Sequence, residues 1–343
     1  MIKAGIIGLG KMGISHCSIL NAHPDVNMIG ACDTSKFLRW MLGKYSKIPV
    51  FDDYKKMIRE QKPDCLFIAT PTSSHFEIAK YCLENGIHLF LEKPCCLNYG
   101  DTVVLRDLAR SKNLLIQVGY HNRYLGTFRE VKRLVDENEL GEIYHFVAEA
   151  YGPVVVKEKA ETWRSDRKEG GGCLYDYASH VINLTDFILG DIDNVSGTCL
   201  KSVFSKNVED AVYSNLHLSN GISGHLSVSW SEESFRKMST KITVSGKKGR
   251  VEANAQEVKL YRNSANADSN RGAGWELTYL TDYTDPVNFY LRGEEYSAQI
   301  DDFVDHIASS RLDSVNSIES AGETDRVVEL LIKDDTERLQ ANG

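Results

Sequence analysis

Residues 2–13 read I-K-A-G-I-I-G-L-G-K-M-G, and this stretch decides the fold. Ile2 to Ile7 is a short apolar run suited to a buried strand. It ends at Gly8-Leu9-Gly10-Lys11-Met12-Gly13, a G-x-G-x-x-G turn, and a helical stretch follows from Ile14 to Leu20. In such a turn Gly8 permits a tight bend and Gly10 lets the backbone approach a pyrophosphate without a clashing Cβ. Gly13 lets the helix pack closely on the strand. The helix start, with Lys11 and Met12, offers N–H groups and a positive dipole end to phosphates.

The motif alone is weak, but its surroundings support it. A second strand, Val26 to Cys32, ends in Asp33, twenty residues after Gly13. A dinucleotide fold places there the carboxylate that accepts hydrogen bonds from the adenosine ribose. A carboxylate repels a 2′-phosphate, so NAD is expected; Ser35 and Lys36 leave NADP open. The alternation continues with a strand at Pro63–Thr70 and a helix at Ser74–Glu84, capped by Ser73 or Ser74. A strand at His88–Leu91, a helix near 99–111 and a strand at Leu114–Gly119 follow. Strands alternating with helices at this spacing predict a doubly wound parallel sheet, an α/β Rossmann domain over residues 1–120. Ligands of such sheets bind beyond the carboxyl ends of the strands, where Thr70-Pro71, Glu92-Lys93 and His121 stand. Lys93 precedes Pro94 and is biased to an extended backbone. Its ammonium there is either a solvated charge or a donor to a substrate oxygen.

Beyond residue 120 the pattern changes. A helix at Phe128–Val135 and a strand at Ile143–Tyr151 lead into a charged stretch, 153–168. From Ile192 to Tyr261 the chain reads as successive short strands, with Asn220-Gly221 a hairpin signal. So many sequential strands predict a large, mostly antiparallel open sheet in an α+β domain spanning 121–343. Its free face is expected to pair with another subunit in a homo-oligomer, a dimer or tetramer. The polar run 263–274 reads as a hairpin loop, and Glu294–Ser309 and Ile318–Leu331 as closing amphipathic helices.

Within this second half, residues 169–183 read E-G-G-G-C-L-Y-D-Y-A-S-H-V-I-N. On a helix over 173–189, Leu174, Ala178, Val181, Thr185 and Ile188 form an apolar stripe. Asp176, His180 and Asn183 fall on a neighbouring stripe. From spacing alone that stripe is a solvated face, a pair of metal ligands or a catalytic pair. No further ligand set with metal-site spacing accompanies it.

The bulk numbers set the class. The chain has 343 residues, so two domains are expected. It is 42% hydrophobic and 26% charged, the balance of a globular protein. A formal net charge of -8 argues against nucleic-acid binding. No apolar window reaches the roughly 18 residues that span a bilayer, and no targeting segment precedes the first strand. Eight cysteines lack C-x-x-C spacing and sit mostly in apolar runs, which suits a reducing cytoplasm. Adjacent Cys95 and Cys96 read as packing residues.

Taken together, Gly8–Gly13, Pro71 and His75 in A-T-P-T-S-S-H, Glu92-Lys93-Pro94, and G-G-G-C-L-Y-D-Y-A-S-H resemble the glucose–fructose oxidoreductase / inositol dehydrogenase / MocA (Gfo/Idh/MocA) family along almost the whole chain. The resemblance implies an NAD-dependent oxidoreductase acting on a sugar, an inositol or a nucleotide sugar. It implies a catalytic group of Lys93, Asp176 and His180. His180 would accept the hydroxyl proton, Asp176 would position it, and Lys93 would hydrogen-bond the same oxygen. Thr70, Pro71, His75, Glu92 and Lys93 would join the cofactor site, as would Trp163-Arg164, a pair that lies near the nicotinamide in the family. Gly119–Tyr124 resembles the family's G-F-N-R-R-F segment, with His121 and Asn122 departing from it; His121 and Arg123 would touch substrate. The triple glycine would give the backbone clearance beside nicotinamide and substrate. A glycosidase or lyase with transient oxidation by NAD, and a non-enzymatic NAD(H) sensor, are the alternatives.

Overall fold

The computed structural model describes residues 1–155, 163–264 and 272–341. Parts of the charged stretch 153–168 and of the polar loop 263–274 therefore lie outside the described residues. The chain forms two compact units, one of Met1–His121 with Pro286–Gly322 and one of Asn122–Asp285 with Glu323–Gly343. The first unit is thus built from two stretches of chain, with Pro286–Gly322 returning to it.

The first unit runs β1 (Ile2–Ile7), α1 (Lys11–Ala22), β2 (Val26–Cys32), α2 (Lys36–Tyr45), β3 (Val50–Phe51), α3 (Tyr54–Gln61), β4 (Cys65–Ile68), α4 (His75–Glu84), β5 (His88–Leu91), α5 (Tyr99–Lys112) and β6 (Ile116–Val118). All strand pairs are parallel, in the order β3-β2-β1-β4-β5-β6. The order reverses beside β1, which places the Gly8 turn at the switch point where such sheets bind ligands. Alternate strand residues face opposite sides. Ile7, Leu66, Ile68, Leu89 and Leu91 belong to one core, and Ala4, Ile6, Phe67 and Phe90 to the other.

The second unit begins with α6 (Gly126–Asp136) and β7 (Ile143–Tyr151). It continues through α7 (Ser179–Leu189), β8 (Ile192–Lys201), β9 (Ala211–Leu218), β10 (Ser223–Ser229), β11 (Ser239–Gly246), β12 (Gly249–Asn254), β13 (Glu257–Arg262) and β14 (Gly274–Tyr279). These strands form one sheet in the order β14-β13-β12-β11-β7-β10-β9-β8. Only the β7–β10 pairing among its described neighbours is parallel. The sheet buries Phe146, Ala148, Val212, Leu216, Leu226, Val228, Ile242 and Val244 on one face. Its other face carries Tyr213, Tyr261, Trp275, Leu277 and Tyr279, all exposed.

The chain closes with α8 (Glu294–Ala308) and α9 (Ile318–Ala341). In the first unit α8 buries Ile300, Phe303 and Val304 against the core that holds Phe67 and Phe90. Full burial of a phenylalanine contributes about 1.5–3 kcal/mol, and Phe303 sits edge-on to both rings at 5.3 and 5.8 Å.

Two expectations change in detail. The helix expected over 173–189 opens as a π-helical segment, Leu174–Ala178, before α7 begins. The wider turn breaks the regular helical spacing that set Asp176, His180 and Asn183 on one stripe. Ser74 does not cap α4 with its side chain. Its hydroxyl instead donates toward Thr70 Oγ1 and Pro71 O, both at 2.8 Å, inside a short 3-10 turn, Thr72–Ser74.

Candidate active site

In the first unit the glycine turn divides its work. Gly8 is in the left-handed region (φ 93°), and a Cβ on Gly13 would lie 1.8 Å from Gly8 O. Both are required by the chain's own packing. Gly10 is different: a Cβ there would meet nothing within 4 Å. Gly10 is also the N-cap of α1, yet α1 has no side-chain cap and no acidic residue in its first turn. An open cradle at an uncapped helix N-terminus suits an anionic group, so the residues fit a dinucleotide pyrophosphate.

Asp33 stands at the end of β2. Its Oδ2 accepts from Leu9 N at 2.6 Å and its Oδ1 from Ser35 N at 2.7 Å. The carboxylate therefore braces the glycine turn and retains lone pairs for a ribose hydroxyl. Arg39, on α2, donates from Nη1 to Asp33 O (2.6 Å) and Thr34 O (2.8 Å). It steadies the loop that carries Asp33.

Beyond β4 and β5 lie Thr70-Pro71 and Glu92-Lys93. His75 is buried, and its ring meets Thr70 O at 3.0 Å, Pro94 O at 3.1 Å and Cys95 O at 3.2 Å. Both ring nitrogens face the chain's own carbonyls. His75, expected at the cofactor, ties two loops of that site together. Burial holds its pKa down, against the pull of those carbonyls.

Glu92 is set more tightly than its position suggested. Its Oε1 accepts from His16 Nε2 on α1 at 2.5 Å. A Cβ on Gly119 would lie 3.3 Å from the carboxyl group, so the glycine leaves room for it. Burial pushes this carboxyl up, but the His16 hydrogen bond and the charges of His16 and Lys93 outweigh burial and hold it below the ordinary range. The Lys93-Pro94 peptide is cis. His121, just past β6, stacks on Tyr296 with centroids 4.7 Å apart. Burial pushes the His121 pKa down to about 4, so the ring is neutral at neutral pH. Arg292 sits 5.3 Å from the Tyr296 ring. Arg292 and Tyr296 escaped the sequence reading, because nothing local links them to His121.

The second unit gathers its own group. Trp163 and Arg164 lie in a short 3-10 turn, Trp163–Ser165; the Trp163 side chain is outside the described residues. Arg164 Nε is 3.5 Å from Asp176 Oδ2. The glycine run that follows is packed by the chain itself. Gly170 closes a turn in the left-handed region. A Cβ on Gly171 would lie 2.4 Å from Arg164 O, and one on Gly172 would lie 2.2 Å from Glu209 Oε1. The clearance expected here for nicotinamide and substrate is thus taken by backbone and by a buried carboxylate. Glu209 accepts from Leu174 N at 3.1 Å and from Arg167 Nη2 at 3.0 Å. Burial pushes its carboxyl pKa up. Glu209 was missed because it lies far from the glycines in sequence.

From this platform Asp176 N bonds to Gly172 O at 3.1 Å. The Asp176 side chain keeps 12% exposure, while His180 and Asn183 are buried. The stripe is therefore not a solvated face. Asn183 accepts from Arg123 Nε at 2.7 Å and donates to Thr324 Oγ1 at 3.0 Å. Arg123 also donates from Nη2 to Asp186 Oδ2 at 2.9 Å. Arg123, expected to touch substrate, is buried and ties the segment after β6 to α7. Among the described residues no group of three His, Cys, Asp or Glu side chains is arranged to hold a metal ion.

The first unit thus brings together Gly8, Gly10, Gly13, Asp33, Thr70, Pro71, Glu92, Lys93 and His121 at the carboxyl ends of its strands. The second brings Arg164, Asp176 and His180 onto one glycine-anchored segment. Residues 2–120 match the model of the oxidoreductase family with an NAD-binding Rossmann fold. Residues 128–252 match the Gfo/Idh/MocA C-terminal domain. The chain belongs to the Gfo/Idh/MocA family and is an oxidoreductase with an NAD-binding Rossmann domain.

Its relatives agree. It is 30% identical, over 72% of its length and 74% of theirs, to a candidate UDP-kanosamine synthase oxidoreductase subunit of Amycolatopsis mediterranei (strain S699). It is 24% identical to D-glucoside 3-dehydrogenase of Escherichia coli (strain K12), over 68% of this chain and 70% of that one. Among solved structures, levoglucosan dehydrogenase in complex with NADH shares the fold with a TM-score of 0.89. The two are 19% identical, with 98% of this chain and 97% of that chain covered.

Proposed function

We propose that this enzyme is an NAD-dependent dehydrogenase or reductase acting on a secondary alcohol or ketone of a sugar, an inositol or a nucleotide sugar. The observation that carries the cofactor assignment is the open space at Gly10 on an uncapped helix, with Asp33 at the end of the next strand. When bound, NAD supplies the hydride acceptor. The chain supplies the proton chemistry. His180 takes the hydroxyl proton as general base, and Asp176, fixed by Arg164 and the glycine platform, orients it. Lys93 donates to the substrate oxygen. Asp33 favours NAD over NADP. The first domain holds cofactor, as the NAD-binding family model over residues 2–120 supports, and the second holds substrate. The free face of the large sheet, with Tyr261, Trp275 and Tyr279 exposed, is proposed to pair with a second copy in a dimer or tetramer. Seven of the eight cysteines are buried, which supports a reducing cytoplasm.

The test is NADH absorbance across a panel of cyclic polyols, sugars and nucleotide sugars, with NAD and NADP in parallel. NAD-linked turnover of one class is expected. His180→Ala and Lys93→Ala should each lose about 10²–10⁴-fold in kcat/KM. Near-normal turnover in either variant would sink the catalytic assignment, and preferred use of NADP would overturn the reading of Asp33.

A further inference from the structure

His16 has no part in the reaction as set out above, yet it is placed as a functional group would be. It lies on the buried side of α1, fully shielded from solvent. Its ring is packed on Phe90 at 5.2 Å and Phe67 at 6.1 Å. Nδ1 is buried with no hydrogen-bond partner. The ring's polar contact is Nε2 to Glu92 at 2.5 Å. An imidazole in an aromatic cage, half unsatisfied, is a poor stability device, because desolvation of a buried pair can exceed the attraction within it. An apolar side chain would pack there at least as well. What the imidazole achieves is a donor aimed at one carboxylate.

That carboxylate adjoins Lys93 in sequence, and the two charges act on each other. The groups that face Glu92 are His16 on α1, Lys93 on its own turn, His121 after β6, His75 on α4 and Tyr296 on α8. His75 and His121 are both held toward the neutral form by burial, and Tyr296 is pushed up to about 12. Over the neutral range the anion beside Lys93 is therefore Glu92, and a histidine on another helix fixes it.

We infer that His16 is a positioning residue for Lys93: it holds Glu92 as a fixed carboxylate beside the lysine, and so fixes the anion that orients the ammonium. The inference rests on the role of Lys93 proposed above. Without the His16 donor, a buried carboxyl loses its main stabilising contact and takes up a proton at higher pH. The ammonium then loses the neighbour that orients it.

The test uses full-length protein with His16→Leu, His16→Gln, Glu92→Gln and Lys93→Ala. The first readout is the ¹³C-carboxyl NMR titration of the protein without added cofactor, with the Glu92 signal assigned by its absence in Glu92→Gln. Glu92 should titrate below the ordinary glutamate range in the wild type, about one pH unit or more higher in His16→Leu, and near wild type in His16→Gln, whose amide restores an N–H donor. The second readout is the pH profile of kcat/KM. Above the acid limb, which the general base His180 sets, kcat/KM should fall by about threefold or more in His16→Leu and return in His16→Gln, while KM for NAD stays within about twofold. If His16→Leu does not fold, the near-isosteric Glu92→Gln carries the test, with an expected loss of about tenfold or more in kcat. A Glu92 titration or a kcat/KM indifferent to His16, or full kcat in Glu92→Gln, overturns the inference. Turnover retained in Lys93→Ala would instead remove the reading of the lysine, and the NMR titration would still report the His16–Glu92 link.

Discussion

Each unit carries a glycine-rich turn ahead of a helix, and the two turns do opposite things. In Gly8–Gly13 the middle glycine leaves open space at an uncapped helix start. In Gly170–Gly172 the space is already filled, by Arg164 O against Gly171 and by the Glu209 carboxylate against Gly172. One turn is built for a ligand's anion, whereas the other is built around the chain's own. A glycine run is therefore not a ligand signal by itself. What decides is whether a Cβ would meet protein.

The largest effect should come from Gly171→Ala. A Cβ there strikes backbone atoms of Arg164 and Asp166, which cannot give way as a side chain would. A loss of about 3 kcal/mol or more is expected from backbone displacement and overpacking, read as a lowered midpoint in urea unfolding. Unchanged stability would break the contrast between the two turns.

A smaller effect isolates the carboxylate. Gly172→Ala is opposed both by its left-handed backbone, φ 111°, and by Glu209. Glu209→Ala should cost about 1–3 kcal/mol, because Leu174 N loses its acceptor. In that background Gly172→Ala should cost about 1–2 kcal/mol less than in the wild type. Strict additivity in the same unfolding experiment would mean that Glu209 does not set the need for glycine.

The smallest effect is one of sign with pH. The Glu92 carboxyl is held low in the folded state, so its contribution is present above the unfolded value of about 4.3 and is lost as pH falls through the lower folded value. The Glu209 carboxyl is held high, so stability is lost as pH rises through its folded value. Relative to wild type, Glu92→Gln should therefore be least destabilising in acid. Glu209→Gln should improve as pH rises toward neutrality. Thermal melts from pH 3 to 8 read both, and parallel curves would contradict the two assignments.

How much was legible follows from how local each cause is. The Gly8 turn, β2 and Asp33 were readable because strand, turn and helix start are set within a few residues. Val26–Cys32 and Ile143–Tyr151 have the bounds read from their apolar pattern. The stretch 36–61 was not read: α2 buries none of its residues fully and β3 has two residues, so neither carries a clear period. The π-helical segment at Leu174–Ala178 was hidden because five residues cannot separate a π turn from an α turn by spacing. The importance of His16 and Glu209, and the structural duty of His75 and Arg123, arise from contacts tens of residues apart. Pattern within a window does not reach them.

The most direct test of the contrast is calorimetric titration of NAD into wild type and Gly10→Ala. The variant should fold with an unchanged melting temperature, since no protein atom stands in the way of its Cβ. Its affinity for NAD should fall by about tenfold or more, because the methyl occupies the anion's approach. Equal affinity in the two proteins would contradict the assignment of the open turn to the dinucleotide.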